Sequence, residues 1–81
     1  MNEKEKDILK HGKMSQYWEE YVDSLPWGNE SAETKLYVAG ILKGFSHETV
    51  LQVMNEQSNL HGSDFQNMGF FIWTEFFDNL K

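Results

Sequence analysis

The chain has 81 residues, no cysteine and no arginine, with thirteen Asp and Glu against seven Lys for a formal net charge of −6. That length builds one small domain and not two, and without cysteine there is no disulfide, Cys-based zinc site or thiol nucleophile. Arg supplies the planar fork that grips phosphates and base edges. Its absence, with the acidic balance, argues against direct nucleic-acid binding.

The start, MNEKEKDILKHGK, is charged and lacks the apolar stretch of a signal peptide, and the run Phe70 to Trp73 is far short of the roughly 20 residues that span a bilayer. The expected setting is soluble and cytoplasmic, with no membrane partner. In this first segment Lys4, Lys6, Lys10 and Lys13 outnumber Glu3, Glu5 and Asp7 by one, so the rest of the chain carries all the negative excess. Such a surface repels DNA and attracts basic protein surfaces.

Residues 1–12 are read as frayed or as a short extra helix. Met14, Tyr17, Trp18, Tyr21, Val22 and Leu25 then follow the i, i+3, i+4 pattern of a helix over 14–25, with Ser15 as its N-cap. Whether it extends back through Gly12 to Ile8 and Leu9 is open. Pro26-Trp27-Gly28-Asn29 ends it. Ser31 caps a second helix over 31–43, with Ala32, Leu36, Ala39 and either Leu42 or Ile41 inward and Gly44 as C-terminal cap. Gly40 inside that helix marks either a close helix approach or a weak point. In GFSHETVLQVM, Ser46 is an N-cap, Glu48 lies in the first turn, and Phe45 and Val50 form a hydrophobic staple, so a third helix runs over 46–57. Residues 58–63 form a loop, and Ser63 or Asp64 caps a fourth helix over 64–80. Strand is the competing reading for GFFIW, but its polar residues do not alternate. The fold class is all-α, a bundle of about four helices.

On a continuous helix from 64 to 80, Phe65, Met68, Gly69, Ile72, Trp73, Phe76 and Leu80 share an arc roughly 140° wide, which is an ordinary core face. Phe70 and Phe77 fall just outside it and Phe71 lies opposite. These three are either absorbed by a central helix that is apolar nearly all round, or buried by a partner. Trp18 and Tyr21 belong to a core stripe. Trp27, in its turn, either plugs the end of the bundle or projects as an anchor.

No catalytic or metal constellation emerges. His11, His47 and His61 stand alone, without H-x-x-x-H or H-E-x-x-H spacing. Glu19, Glu20 and Asp23 read as the wet side of a helix, Ser46 is explained by its cap, and no Gly-rich phosphate loop is present. The expectation is a non-enzymatic protein with no cofactor and no metal.

The stretch LKGFSHETVLQVMNEQS, about a fifth of the chain, resembles the opening of the helix-turn-helix in bacterial sigma-factor and repressor domains. The resemblance implies a turn at Asn55, where that family commonly has Gly. It also implies a small residue where this chain has Leu51, and a groove helix containing Asp64, Phe65, Gln66, Asn67 and Met68. That helix would carry no basic side chain, so DNA binding is not expected.

What these residues favour is a protein interaction module, an inhibitor or regulator of a larger protein with a basic surface. Trp27, Phe70, Phe71 and Phe77 would make contact, ringed by Glu19, Glu20, Asp23, Glu75 and Asp78, with the carboxylates steering encounter and the aromatics holding the complex. If the partner handles nucleic acid, these acids, with Glu30 and Glu33, stand in for phosphates. Immunity proteins and phage-encoded inhibitors have such compositions, an analogy of class only. The alternatives are a homodimer joined through Phe70, Phe71 and Phe77, or a degenerate helix-turn-helix regulator.

Overall fold

The charged start orders itself. The Asn2 side chain accepts from the Glu5 amide at 2.9 Å while the Glu5 carboxylate accepts from the Asn2 amide at 3.1 Å, a capping box that satisfies two otherwise orphaned donors. In the computed structural model, which describes all 81 residues, helix α1 therefore spans Glu3–His11, and fully buried Ile8 pins it to the core. Of the two readings of residues 1–12, the extra helix is the one realised.

Gly12 ends α1 at φ 61° and opens a 3-10 turn, Gly12–Met14. The expected helix over 14–25 is correspondingly shorter: α2 spans Trp18–Val22. Ser15 does not cap an uninterrupted helix. Its hydroxyl donates to Asp7 of α1 and accepts from the Tyr17 amide, which stitches the corner together. Trp18 and Val22 are the buried residues of α2.

The connection to the next helix is held by side chains reaching its backbone. The Trp18 indole N–H donates to the Asn29 carbonyl at 3.0 Å, and the Thr34 hydroxyl donates to the Gly28 carbonyl at 2.6 Å. Ser31 caps α3, Ala32–Leu42, by accepting from the Thr34 amide at 3.1 Å. Thr34 is fully buried, and its polar atoms are satisfied by these bonds.

No residue of α3 is fully exposed, and it packs against α5, α4, α1 and the second 3-10 turn. It is the central helix, a role the sequence allowed to residues 64–80. A Cβ on Gly40 would lie 2.6 Å from Val50 Cγ2 and 2.8 Å from Phe77 Cζ. The close approach, not the weak point, is thus the use of Gly40. Gly44 turns the chain at φ 93°.

Ser46 caps α4 as expected, accepting from the Thr49 amide at 3.2 Å. The helix, His47–His61, continues four residues past Gln57, because nothing from Ser58 to His61 breaks it until Gly62 takes φ 57°. Asn55 sits mid-helix, so the turn of the helix-turn-helix is absent. Gly62–Asn67 is a 3-10 turn carrying buried Phe65, Met68 and Gly69 are extended, and α5 spans Phe70–Leu80. There is no strand, and the expected groove helix does not form. Fifteen buried apolar residues drawn from every α-helix make one continuous core.

Candidate interaction surface

The late start of α5 sets which of its side chains face out. With Phe65, Met68 and Gly69 outside the helix, the inward set becomes Phe70, Trp73 and Phe77, spaced i, i+3, i+7. Phe70 is 4% exposed and meets Trp18 edge-on at 5.5 Å between centroids; Phe77 is 0% exposed and packs on Phe45 at 5.1 Å. Neither is surplus, and their placement in a partner-binding patch or a dimer seam is corrected to the core. The physical cause is room: Gly12 and Gly40 carry no side chain where Phe70 and Phe77 come down.

Ile72 and Leu80, expected inward, are instead 49% and 51% exposed, and Phe71 is 51% exposed, as its position opposite the core face requires. Phe71 lies over Gly12, where a Cβ would come within 3.3 Å of its ring, and meets Phe70 edge-on. Phe76 is half-buried against Trp73 and Phe77. Phe65, Met68 and Gly69 lie off the helix, so the arc they would share with Ile72 and Leu80 does not form. Gly69, directly before the aromatic run, was the signal for the shorter helix. Met14 and Leu60 are also well exposed, on other elements.

Trp27 does not join Phe71. It is half-buried with its ring on Tyr37, 5.2 Å between centroids, and Tyr37 in turn meets His47 edge-on, its hydroxyl 2.8 Å from His47 Nδ1. The result is a Trp27, Tyr37 and His47 ledge tying the connection after α2 to α3 and the start of α4. Near it, the Tyr21 phenol is held above its usual value of 10.0 by burial first, then by Glu5 and Tyr37.

The carboxylates fall into two groups. Glu20 pairs with Lys4 at 2.5 Å and Asp78 with Lys43 at 3.0 Å; Glu30 pairs with Lys13 at 3.2 Å, and Glu33 accepts from the Gln66 amide. The hydrogen bond that the Lys4 ammonium donates to Glu20 is the main cause holding it above its ordinary value of 10.5. Glu19, Asp23 and Glu75 are exposed and make no ion pair. Two of the five acids expected to ring the patch are therefore already engaged within the molecule.

His11 Nε2 lies 3.8 Å from Asp7, and Ser15 donates to the same carboxylate. The carboxylate sits between hydroxyl and imidazole, which is the wrong order for a base-activated nucleophile; the trio braces the corner at Gly12. No pocket opens on the surface, and no three His, Asp or Glu side chains gather in a metal-holding group. Compared with known proteins, the chain matches no family model, no curated protein and no solved structure.

Proposed function

We propose that this small helical protein is an acidic interaction module, an inhibitor or regulator that binds a larger protein bearing a basic surface. The observation that carries this reading is the outer face of α5. Two large apolar side chains, Phe71 and Ile72, are about half exposed in its first turn, on either side of the unpaired carboxylate of Glu75, and Leu80 is half exposed at its far end. Apolar groups clustered on a surface otherwise rich in charge are what interface centres consist of. The acidic excess adds long-range attraction for a basic partner, and the unpaired Glu19 and Asp23 are free to contribute to it. A partner that handles nucleic acid fits this charge, because carboxylates then occupy the place of phosphates.

The test is capture from the lysate of the source cells with the wild-type chain, with Phe71→Ser combined with Ile72→Ser, and with Glu19 and Asp23 reversed to Lys. A specific partner is retained by the wild type, lost by the apolar double variant, and recruited more slowly and with less salt dependence by the charge-reversed one. A partner retained equally by all three refutes this reading. Light scattering over a range of concentration and salt addresses the homodimer: a stable dimer would assign the α5 face to self-association.

A further inference from the structure

Helix α5 is covered on one side only. Phe70, Trp73 and Phe77 face α3 and the Gly12 corner, while beside them Ile72, Phe76 and Leu80 recur every fourth residue, Ile72 and Leu80 half exposed and Phe76 half-buried against Trp73 and Phe77. Beside that row runs a second one, Phe71, Glu75 and Asn79, all exposed. Rows at i±4 are the ridges by which helices pack, each ridge entering the groove between two ridges of its neighbour. No enclosed cavity for a small ligand opens on the surface. The face offers a ridge and a groove to another helix.

Charge decides which helix. Glu75 stands in the middle of the exposed face without a basic partner, Asp78 is already held by Lys43, and α5 itself contains no Lys. Two copies crossing antiparallel on this face would bring Glu75 close to its own mate, and like charges at such spacing oppose association. Size sets the strength of the contact. Half-exposed side chains of this class leave about 100 Å² each, so Phe71, Ile72 and Leu80 supply about 300 Å². That is one partner's apolar share of a small, reversible interface.

Resting on the proposed function, we propose that the outer face of α5 docks a basic amphipathic helix of a partner protein. Apolar residues of that helix enter the groove between the two rows, and a Lys or Arg meets Glu75. From Phe71 to Leu80 the face is about 14 Å long at the rise of an α-helix, so two to three turns of the partner cover it.

The experiment titrates the isotope-labelled full chain, followed by backbone amide shifts, with two synthetic helical peptides. One is an amphipathic sequence of Leu and Lys, and the other keeps the leucines with Glu in place of Lys. The expected result is perturbation centred on residues 71–80, with the lysine peptide binding about ten-fold tighter or more. Phe71→Ser with Ile72→Ser should weaken that binding about ten-fold or more. Glu75→Gln should weaken it about two- to five-fold, the size of an exposed ion pair, and reduce its salt dependence. Circular dichroism confirms that the variants remain folded.

Equal binding of both peptides would overturn the cation on Glu75. Perturbation centred on the Trp27, Tyr37 and His47 ledge would move the docking site while sparing the interaction module itself. Concentration-dependent self-association through 71–80 would give the face to a second copy. Binding of neither peptide would overturn the basic helix and leave the proposed function to the lysate variants.

Discussion

Gly40→Ala tests the closest contact in the fold. The added methyl would stand 2.6 Å from Val50 Cγ2, 2.8 Å from Phe77 Cζ and 3.0 Å from Phe77 Cε2. Val50 and Phe77 are both fully buried, so neither can swing into solvent, and relief requires α4 or α5 to move away from α3. Overpacking of this kind costs about 3 kcal/mol at the upper end of its usual range. Against that, Ala is better than Gly inside a helix by about 1 kcal/mol. The net expectation is a loss of about 2 kcal/mol, which for a domain of this size lowers Tm by about 8–16 °C. Denaturant unfolding of wild type, Gly40→Ala, Phe77→Leu and the double variant measures it, and an unchanged slope confirms that the compared states are the same. In the Phe77→Leu background the Ala methyl has more room, so its penalty should shrink. A Gly40→Ala protein as stable as wild type or more so would refute the view that α3 and α5 meet at this glycine.

Three further outcomes follow from the same geometry. Gly12→Ala and Gly62→Ala share a positive φ, 61° and 57°, but only Gly12 has Phe70 and Phe71 within 3.3 Å of the new methyl; chemical denaturation should show a loss of about 1 kcal/mol at Gly62 from backbone strain and about 2–3 kcal/mol at Gly12. Equal losses would remove Phe70 and Phe71 from the account. Phe77→Ala should cost about 3–5 kcal/mol as a cavity in the core, and Phe71→Ala under about 1 kcal/mol; the reverse ranking would refute the burial of Phe77 and the exposure of Phe71. Tyr21 is held above the ordinary tyrosine value of 10.0, so the folded chain keeps this proton where the unfolded chain has lost it. Its contribution is intact below about pH 10 and is lost as pH rises through the folded value. Alkaline unfolding of Tyr21→Phe should fall less steeply with pH than that of wild type, and identical slopes would exclude this phenol as a cause.

The caps were legible because their signals are local. Ser31 and Ser46 each act on an amide three residues on, and Gly44 needs only a left-handed turn. The capping box Asn2 to Glu5 was equally local, and was available in the sequence as a reason to prefer the helix for residues 1–12. Two corners were harder. At Gly12 and at Gly62 the α-helix gives way to a 3-10 turn, and periodicity carries straight across the first while polar residues mimic a loop before the second. The candidate surface suffered most, since the face α5 buries is chosen by what passes beneath it. Gly12 and Gly40, distant in sequence, draw Phe70 and Phe77 inward and turn Ile72 and Leu80 out. Phe71 keeps the place the spacing gives it, opposite the buried face, because that needs only its position on the helix.

The central place of α3 has a consequence for how the chain tolerates being cut. It lies midway along the sequence and is the element that α1, α4, the second 3-10 turn and α5 all touch. Cleavage at the exposed Gly44 turn would leave the downstream fragment holding Phe65, Trp73 and Phe77 with no surface to bury them, and the upstream fragment holding a bare α3. Neither fragment is a smaller version of the protein. A break there would divide the core between two fragments, whereas loss of the exposed end residues Met1 and Lys81 would remove none of it.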